Sequence, residues 1–258
     1  MEPLSLWWDT LPHHLATADR PALATDLTVD VCIVGAGYTG LWTAYYLQQA
    51  DPTIRIAILD ANVAGFGASG RNGGWCSAYF PTEIDKLARR FGREPARAMQ
   101  DAMHATVDEV HRVTRTEGID CDWQHGGSIT LARTPLQWAR AQEYIEHWRA
   151  WGYDESHYRL LSATEATEMA NATGTLGATW TSHVAAINPA KLVRQLALLV
   201  ESRGARMCEN SPVISINEGT AVTAHGTVTA NVVVRATEGY SRSLAGHRRH
   251  VAPIYSSM

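Results

Sequence analysis

The run Val29-Asp30-Val31-Cys32-Ile33-Val34-Gly35-Ala36-Gly37-Tyr38-Thr39-Gly40 limits what this chain can fold into more than any other feature. Val29 to Val34 is a short β-branched stretch bounded by Gly35, which predicts a buried strand. Tyr38 to Gln49 predicts a helix, apolar nearly all round and therefore buried against a sheet, with Asp51-Pro52 as its stop. Ile54 to Leu59 predicts a second strand. The three elements make a β-α-β crossover, the connection that a parallel strand pair requires.

Between strand and helix stands G-x-G-x-x-G. Gly35 permits the tight turn, Gly37 removes a side chain so that pyrophosphate can approach the backbone, and Gly40 lets the helix pack closely on the strand. Ala36, Tyr38 and Thr39 carry the intervening backbone, and the helix N-terminus directs N–H groups and a positive dipole end at the phosphates. Asp60 ends the second strand 20 positions beyond Gly40, where this arrangement places a carboxylate for ribose hydroxyls. Its charge disfavours a 2'-phosphate. These residues predict an α/β protein with a Rossmann-type dinucleotide-binding domain.

The loop Gly65 to Gly74 is glycine in five of its ten positions. With Ala68, Ser69, Asn72 and Gly73 it can bring many backbone donors against a long, flat ligand, and Arg71 can neutralise pyrophosphate charge. Composition alone reads equally well as a surface loop.

Further along, Glu94 to Thr116 predicts a helix whose Met99, Met103, Val107, Val110 and Val113 form a core stripe. Trp123 to Arg133 predicts a hairpin turning at Gly126-Gly127, and Pro135 to Trp151 an amphipathic helix. Ser162 and Glu165 have capping-box spacing. Asn188-Pro189 starts a helix with Leu192, Leu196 and Leu199 on its buried face and Gly204 as its stop. Strands are expected near Ala205 to Glu209, Val213 to Ile216 and Val232 to Ala236, with a hairpin at His225-Gly226. The order describes a Rossmann sheet that is interrupted by an inserted domain and resumes after Gly204. The expected division is an extended arm over 1–28, a nucleotide-binding domain over 29–80 and 186–240, and a substrate domain over 81–185 and 241–258.

A net charge of -4 without a basic patch argues against nucleic acid or an anionic membrane as partner. No apolar run approaches the roughly 18 residues of a membrane helix, and Met1 to Thr10 lacks the character of a signal peptide. Cys32, Cys76, Cys121 and Cys208 are scattered without metal spacing, so no metal site is expected. A soluble cytoplasmic protein with reduced thiols is the expectation.

The segments "VDVCIVGAGYTGLWTAYYL" and "GASGRNGG" resemble the D-amino-acid-oxidase-like FAD-dependent oxidoreductases, and in pattern the subgroup similar to gamma-glutamylputrescine oxidoreductase. "SLWW", "NPAKLVRQLALLVESRGA" and "NVVVRATEGY" extend the resemblance over most of the chain. It implies a glutathione-reductase-like FAD-binding domain with an inserted α+β substrate domain, and FAD as cofactor. The glycine-rich loop would run beside the FAD pyrophosphate and flavin ring. Val213 would sit near the adenine through its backbone, and Ala236 and Thr237 near the FAD. His125 and His183 fall in segments that approach the flavin in such proteins, and neither is assigned a catalytic role. Cys76, just after the loop, leaves covalent flavin attachment open, without a motif for it.

The implied activity is oxidation of a C–N bond in an amine or amino acid by hydride transfer to flavin. Oxygen or another acceptor would reoxidise it. An NAD-dependent dehydrogenase and a catalytically incomplete nucleotide-binding fragment are the alternatives. Members of the resembled family are longer, which implies a chain truncated at Pro253-Ile254-Tyr255-Ser256-Ser257-Met258, inside a substrate-domain strand. Glu238-Gly239 follows Thr237 where an Asn is commoner.

Overall fold

A computed structural model describes residues 5–17, 20–249 and 251–254. In chain order the elements are α1 (Leu6–Asp9), α2 (His13–Ala16), β1 (Leu27–Val34), α3 (Tyr38–Ala50), β2 (Ile56–Leu59), β3 (Trp75–Ser77), α4 (Ile84–Phe91) and α5 (Arg93–Thr116). Then follow β4 (Ser128–Ala132), α6 (Pro135–Ala150), β5 (Tyr158–Ser162), α7 (Ala163–Met169), β6 (Gly177–Thr181), β7 (Val184–Ala186) and α8 (Pro189–Ser202). The last strands are β8 (Arg206–Cys208), β9 (Val213–Asn217), β10 (Thr220–Thr223) and β11 (Thr227–Arg235).

They form two compact units, Met1–Gly74 with Glu117–Cys121 and Asn188–Met258, and Trp75–Thr116 with Asp122–Ile187. These bounds differ from the expected ones. Residues 75–80 and 186–187 belong to the second unit, because β3 pairs with β7 (Trp75 with Ala186). Residues 117–121 return to the first, tied there by the Tyr45 hydroxyl donating to Glu117 at 2.9 Å and Gln195 donating to the Asp120 carbonyl at 2.5 Å. Residues 241–249 and 251–254 stay with the first unit rather than the substrate domain. The strand end expected at Tyr255 to Met258 lies outside the described residues, and residues 251–254 are not a strand.

The first unit is a six-stranded sheet in the order β8-β2-β1-β11-β10-β9. β8, β2, β1 and β11 are parallel, and β11, β10 and β9 continue as an antiparallel meander. A central parallel strand is covered on both faces, which is why Val31 to Val34 is continuously apolar and buried. α3 buries Leu41, Ala44, Tyr45 and Gln48, but Tyr46 is 43% exposed, so the helix is one-sided and not buried all round. Its apolar outer positions satisfy one another through the stacked Trp42 and Tyr46 rings. α8 packs on α3, with the Gln48 amide donating to the Val200 carbonyl at 2.9 Å. Asn188 caps α8 by accepting from the Lys191 N–H, and Gly204 ends it at φ +95°, both as expected.

The expected extended arm is not extended. It carries α1 and α2, buries Leu23, and is held by a buried charge network. Arg20 donates to Glu209 at 2.8 Å and Glu201 at 2.7 Å, and Arg194 donates to Glu209 at 3.0 Å and to the Leu15 carbonyl at 2.8 Å. Partners so far apart in sequence leave no local pattern, so the arm reads as polar and aperiodic.

In the second unit β4, β6 and β5 form an antiparallel sheet in that order. The expected 123–133 hairpin is absent. β4 pairs with β6, and Gln124 makes a lone bridge to Ala186. Gly127, at φ +73°, turns the chain where a Cβ would lie 2.4 Å from the Thr181 carbonyl oxygen, so the two glycines mark a crossing between strands and not a hairpin tip. The α5 stripe is also different. Ala96, His104, Val107, Val113 and Thr114 are buried while Met99 is 38% exposed. The capping boxes at Thr134 (α6) and Ser162 (α7) are both formed. Among the described residues no helix is long and apolar enough to cross a membrane.

Candidate cofactor site

The turn after β1 is a close fit of backbone on backbone. Gly35 sits at φ +112°, and a Cβ there would lie 2.4 Å from the Ala236 carbonyl oxygen. A Cβ on Gly40 would lie 2.0 Å from the Gly35 carbonyl oxygen, so only glycine lets α3 start this near the strand. Gly37 precedes α3 and offers no side-chain cap. Instead the Tyr38 N–H donates to the Ser69 hydroxyl at 2.9 Å. This brings the glycine-rich loop onto the helix N-terminus, where an anion is favoured.

Asp60 closes the other side. Its carboxylate accepts from the Ala36 N–H at 2.7 Å and the Asn62 N–H at 2.8 Å. Burial pushes the carboxyl above the ordinary carboxylate range, opposed by those two N–H groups, which favour the charged form, and assisted by Glu209. A carboxylate has about four acceptor sites, so two remain beyond these bonds.

These groups line one groove of about 210 Å3 in the first unit. Of the expected residues it gathers Gly35, Gly37, Tyr38, Thr39, Asp60, Ala68, Ser69, Val213 and Thr237, with Ala236 beside them. Ala36 and Gly40 lie buried behind the turn. Arg71, Asn72 and Gly73 are not on the groove. The Arg71 guanidinium lies over the Phe66 ring and donates to the Tyr240 hydroxyl at 3.2 Å. Asn72 staples its own loop, donating to the Ala68 carbonyl and accepting from the Gly74 N–H, and Gly73 is exposed. From the arm, Trp7 donates to the Asn72 carbonyl at 2.8 Å and so holds that loop.

Sequence reasoning passed over Asn62, Ser211 and Tyr240, which also line the groove, as do Gly65 and Phe66 of the expected loop and Glu238 after Thr237. Gly65 sits at φ +81°, where a Cβ would lie 2.4 Å from the Val193 side chain. Glu238 occupies the left-handed region at φ +42°, where Asn is more at ease than Glu. Outside the groove, the His125 ring is engaged at 2.7 Å by the Ser182 carbonyl, and burial pushes the Cys76 thiol up to about 11, away from the reactive thiolate.

Comparison with known proteins agrees with this geometry. Residues 30–258 match the DAO family of FAD dependent oxidoreductases. Gamma-glutamylputrescine oxidoreductase of Escherichia coli is 32% identical over 238 residues, covering 90% of this chain and 55% of that protein. Glycine oxidase from Geobacillus kaustophilus superposes with a TM-score of 0.66 at 25% identity, covering 86% of this chain and 58% of that one. L-amino acid deaminase from Proteus myxofaciens shares the fold at a TM-score of 0.73 and 19% identity, over 92% of this chain and 51% of that one. The chain spans about half the length of the curated relatives it matches.

The chain therefore belongs to the D-amino-acid-oxidase-like family of FAD-dependent oxidoreductases. FAD is the cofactor that the family assignment brings, and the NAD-dependent alternative falls with it. The groove suits that cofactor on its own terms: a cradle that a Cβ at Gly37 would narrow, an N–H-bearing helix start, and a carboxylate with acceptor sites to spare.

Proposed function

We propose that this chain oxidises the C–N bond of an amine or amino acid, with FAD held along the glycine turn of the first unit. The observation that carries the reading is the meeting of Gly37, Tyr38, Asp60 and Ser69 at the start of α3, in a chain of this family. Bound FAD would supply the hydride acceptor. The chain's part is to hold it: the first N–H groups of α3 and the Ser69 hydroxyl toward the pyrophosphate, Asp60 toward the ribose, Val213 and Thr237 along the rim. The subgroup reading, a protein of the gamma-glutamylputrescine oxidoreductase kind, is supported by the 32% identity over 90% of the chain.

The second unit supports an amine as substrate. It contains a cavity of about 540 Å3 walled by Trp75, Tyr79, Tyr144 and Trp148, with Asp85 and His183 among its polar groups. Aromatic faces and a carboxylate together suit an organic cation. Four free cysteines fit a reducing compartment such as the cytoplasm.

The test begins with the absorption spectrum of the purified chain and the flavin released on denaturation. Anaerobic mixing with amines and with amino acids follows. Bleaching of the flavin band by one of these classes is expected. A chain that retains FAD but is bleached by neither is a nucleotide-binding fragment, and a chain that binds no FAD overturns the site.

A further inference from the structure

His104 of α5, His157 before β5 and His183 between β6 and β7 form a stack inside the second unit. The His104 and His183 rings lie 3.6 Å apart and 5° from parallel, and His157 stacks on His183 at 5.0 Å. His157 Nδ1 and His183 Nε2 are 2.8 Å apart. His104 Nε2 is taken by the Tyr158 hydroxyl and the Gln100 amide, both at 2.9 Å, and its buried Nδ1 has no partner. His183 is on the wall of the aromatic cavity, and His157 is half-buried.

Three imidazoles in one place suggest a metal, but the geometry opposes it. Ring lone pairs lie in the ring planes, so two parallel rings face to face do not converge on one ion. The 2.8 Å separation of His157 and His183 is also a hydrogen bond and is shorter than the spacing of about 3.3 Å that two zinc–nitrogen bonds of about 2.0 Å set at a tetrahedral angle. What the arrangement holds between those rings is a proton.

Resting on the proposed oxidation of an amine, we infer that His183 accepts the proton of a substrate ammonium group in the cavity and passes a proton across to His157. The step balances without a further reagent. The ammonium N–H bond breaks and its proton forms N–H at His183 Nδ1. The His183 Nε2–H bond breaks and that proton joins His157 Nδ1. His157 Nε2 then releases its own proton to water. The amine keeps its electron pair, which is the form able to lose hydride from the adjacent carbon. His104 is a positioning residue, because its ring fixes the plane of His183 and excludes water from that face.

The surroundings keep His183 unprotonated before substrate arrives. Burial chiefly lowers it to about 4, with His157 and His125 pushing the same way against Asp108 of α5, so it is unprotonated at neutral pH. His104 is lowered to about 3 by burial and by both other histidines, against Asp101. Tyr158 of β5 faces the stack, Asp154 lies near His157, and Asp85 of α4 and His147 of α6 line the same cavity. A proton taken up by His183 has the His157 nitrogen 2.8 Å from its other ring nitrogen as the next acceptor.

Ring-nitrogen NMR of the full chain with 15N-histidine reads the tautomers without any turnover. Protonated Nε2 and bare Nδ1 on His183 are expected, with bare Nδ1 on His157. The opposite tautomer on His183, or zinc binding one-to-one with loss of the 2.8 Å hydrogen bond, overturns the inference. Anaerobic flavin reduction by an amine gives the second arm. His157→Gln and His183→Gln should each slow reduction at least tenfold below pH 8, less so at higher pH, with imidazole restoring His183→Gln. Profiles parallel to the parent's overturn the inference. If the parent itself reduces no flavin with any amine, the proposed function fails while the tautomers are still read.

Discussion

The glycine groove of the first unit and the histidine stack of the second are built from opposite materials. In the groove nearly every polar contact has a backbone N–H at one end: Ala36 and Asn62 on Asp60, Tyr38 on Ser69. Its shape is fixed by what is missing, the Cβ atoms of Gly35, Gly37 and Gly40. In the stack the ring contacts are between side chains, and its shape is fixed by His104 packed face on face with His183 and by the hydrogen bond between His183 and His157. A backbone site can be broken by adding one carbon. A stack of buried histidine rings responds to protonation.

The sharpest break in that comparison is Gly40→Ala. The added carbon would lie 2.0 Å from the Gly35 carbonyl oxygen, and neither backbone can yield without parting α3 from β1. A loss of about 4 kcal/mol or more is expected, in the range reserved for direct core clashes. Gly37→Val is the companion. Its Cβ meets only the Ser69 hydroxyl, at 2.9 Å, so the fold should survive while flavin occupancy is lost. Thermal melting and bound flavin, measured on both, separate the two roles. Equal melting of Gly40→Ala and the parent would mean that close approach of helix and strand is not structural.

The second effect belongs to the stack. His104 and His183 are held at about 3 and about 4, below their ordinary 6.5. The unfolded chain therefore binds protons that the folded chain does not between those values. Stability is fully present above pH 6.5 and falls as pH drops toward 4 and then 3, by up to about 1.4 kcal/mol per pH unit for each proton. The buried His104 carries more of this than the partly exposed His183. Asp60 runs the other way, since a raised carboxyl binds its proton earlier in the folded state and gains stability as pH falls. Urea melts from pH 7 to pH 4 should show the loss, and His104→Gln should flatten it. A flat profile in the parent would remove the stack's electrostatic character.

This difference in material also explains what could be read in advance. β1, α3, the three glycines and Asp60 lie within one local stretch, and their spacing carries the geometry. The capping residues Ser162 and Asn188 were legible for the same reason. The histidine stack joins positions 104, 157 and 183, and no spacing rule connects them. His104 even sat unremarked beside the Met99 and Met103 stripe that was expected to fill the core. Arg71 was read from its charge as a phosphate partner, and its contacts with the Phe66 ring and the Tyr240 hydroxyl, 169 residues away in the case of Tyr240, carry no local signal.

Asp60→Ala sharpens the comparison from within the groove. The carboxylate holds two backbone N–H groups, so the change should lower stability as well as weaken FAD binding. Hydrogen bonds to a charged group contribute about 1.5 to 3 kcal/mol, which is roughly tenfold to a hundredfold in affinity. Flavin fluorescence titration beside melting gives both numbers. An unchanged dissociation constant with a lowered melting temperature would make Asp60 a brace for the turn and not a ribose ligand.

The smallest effect is expected at Ser69, and its sign is informative. The hydroxyl accepts from the Tyr38 N–H at 2.9 Å, the same donor that a pyrophosphate at the start of α3 would claim. Ser69 is therefore either a placeholder that phosphate must displace or a ligand that turns and donates to it. Ser69→Ala removes both possibilities at once, leaving the glycine turn and Asp60 intact. As a placeholder, its loss frees the N–H and tightens FAD. As a ligand, its loss removes one hydrogen bond to a charged group. We expect the second, with the dissociation constant raised by less than about tenfold, because a hydroxyl can reverse its role at little cost and the helix start retains its other donors. Melting without FAD should fall by about 1 kcal/mol, the ordinary value of one neutral hydrogen bond. Tighter FAD binding by Ser69→Ala would assign the placeholder role, and would show that even a backbone-built groove keeps one side chain in reserve for its empty state.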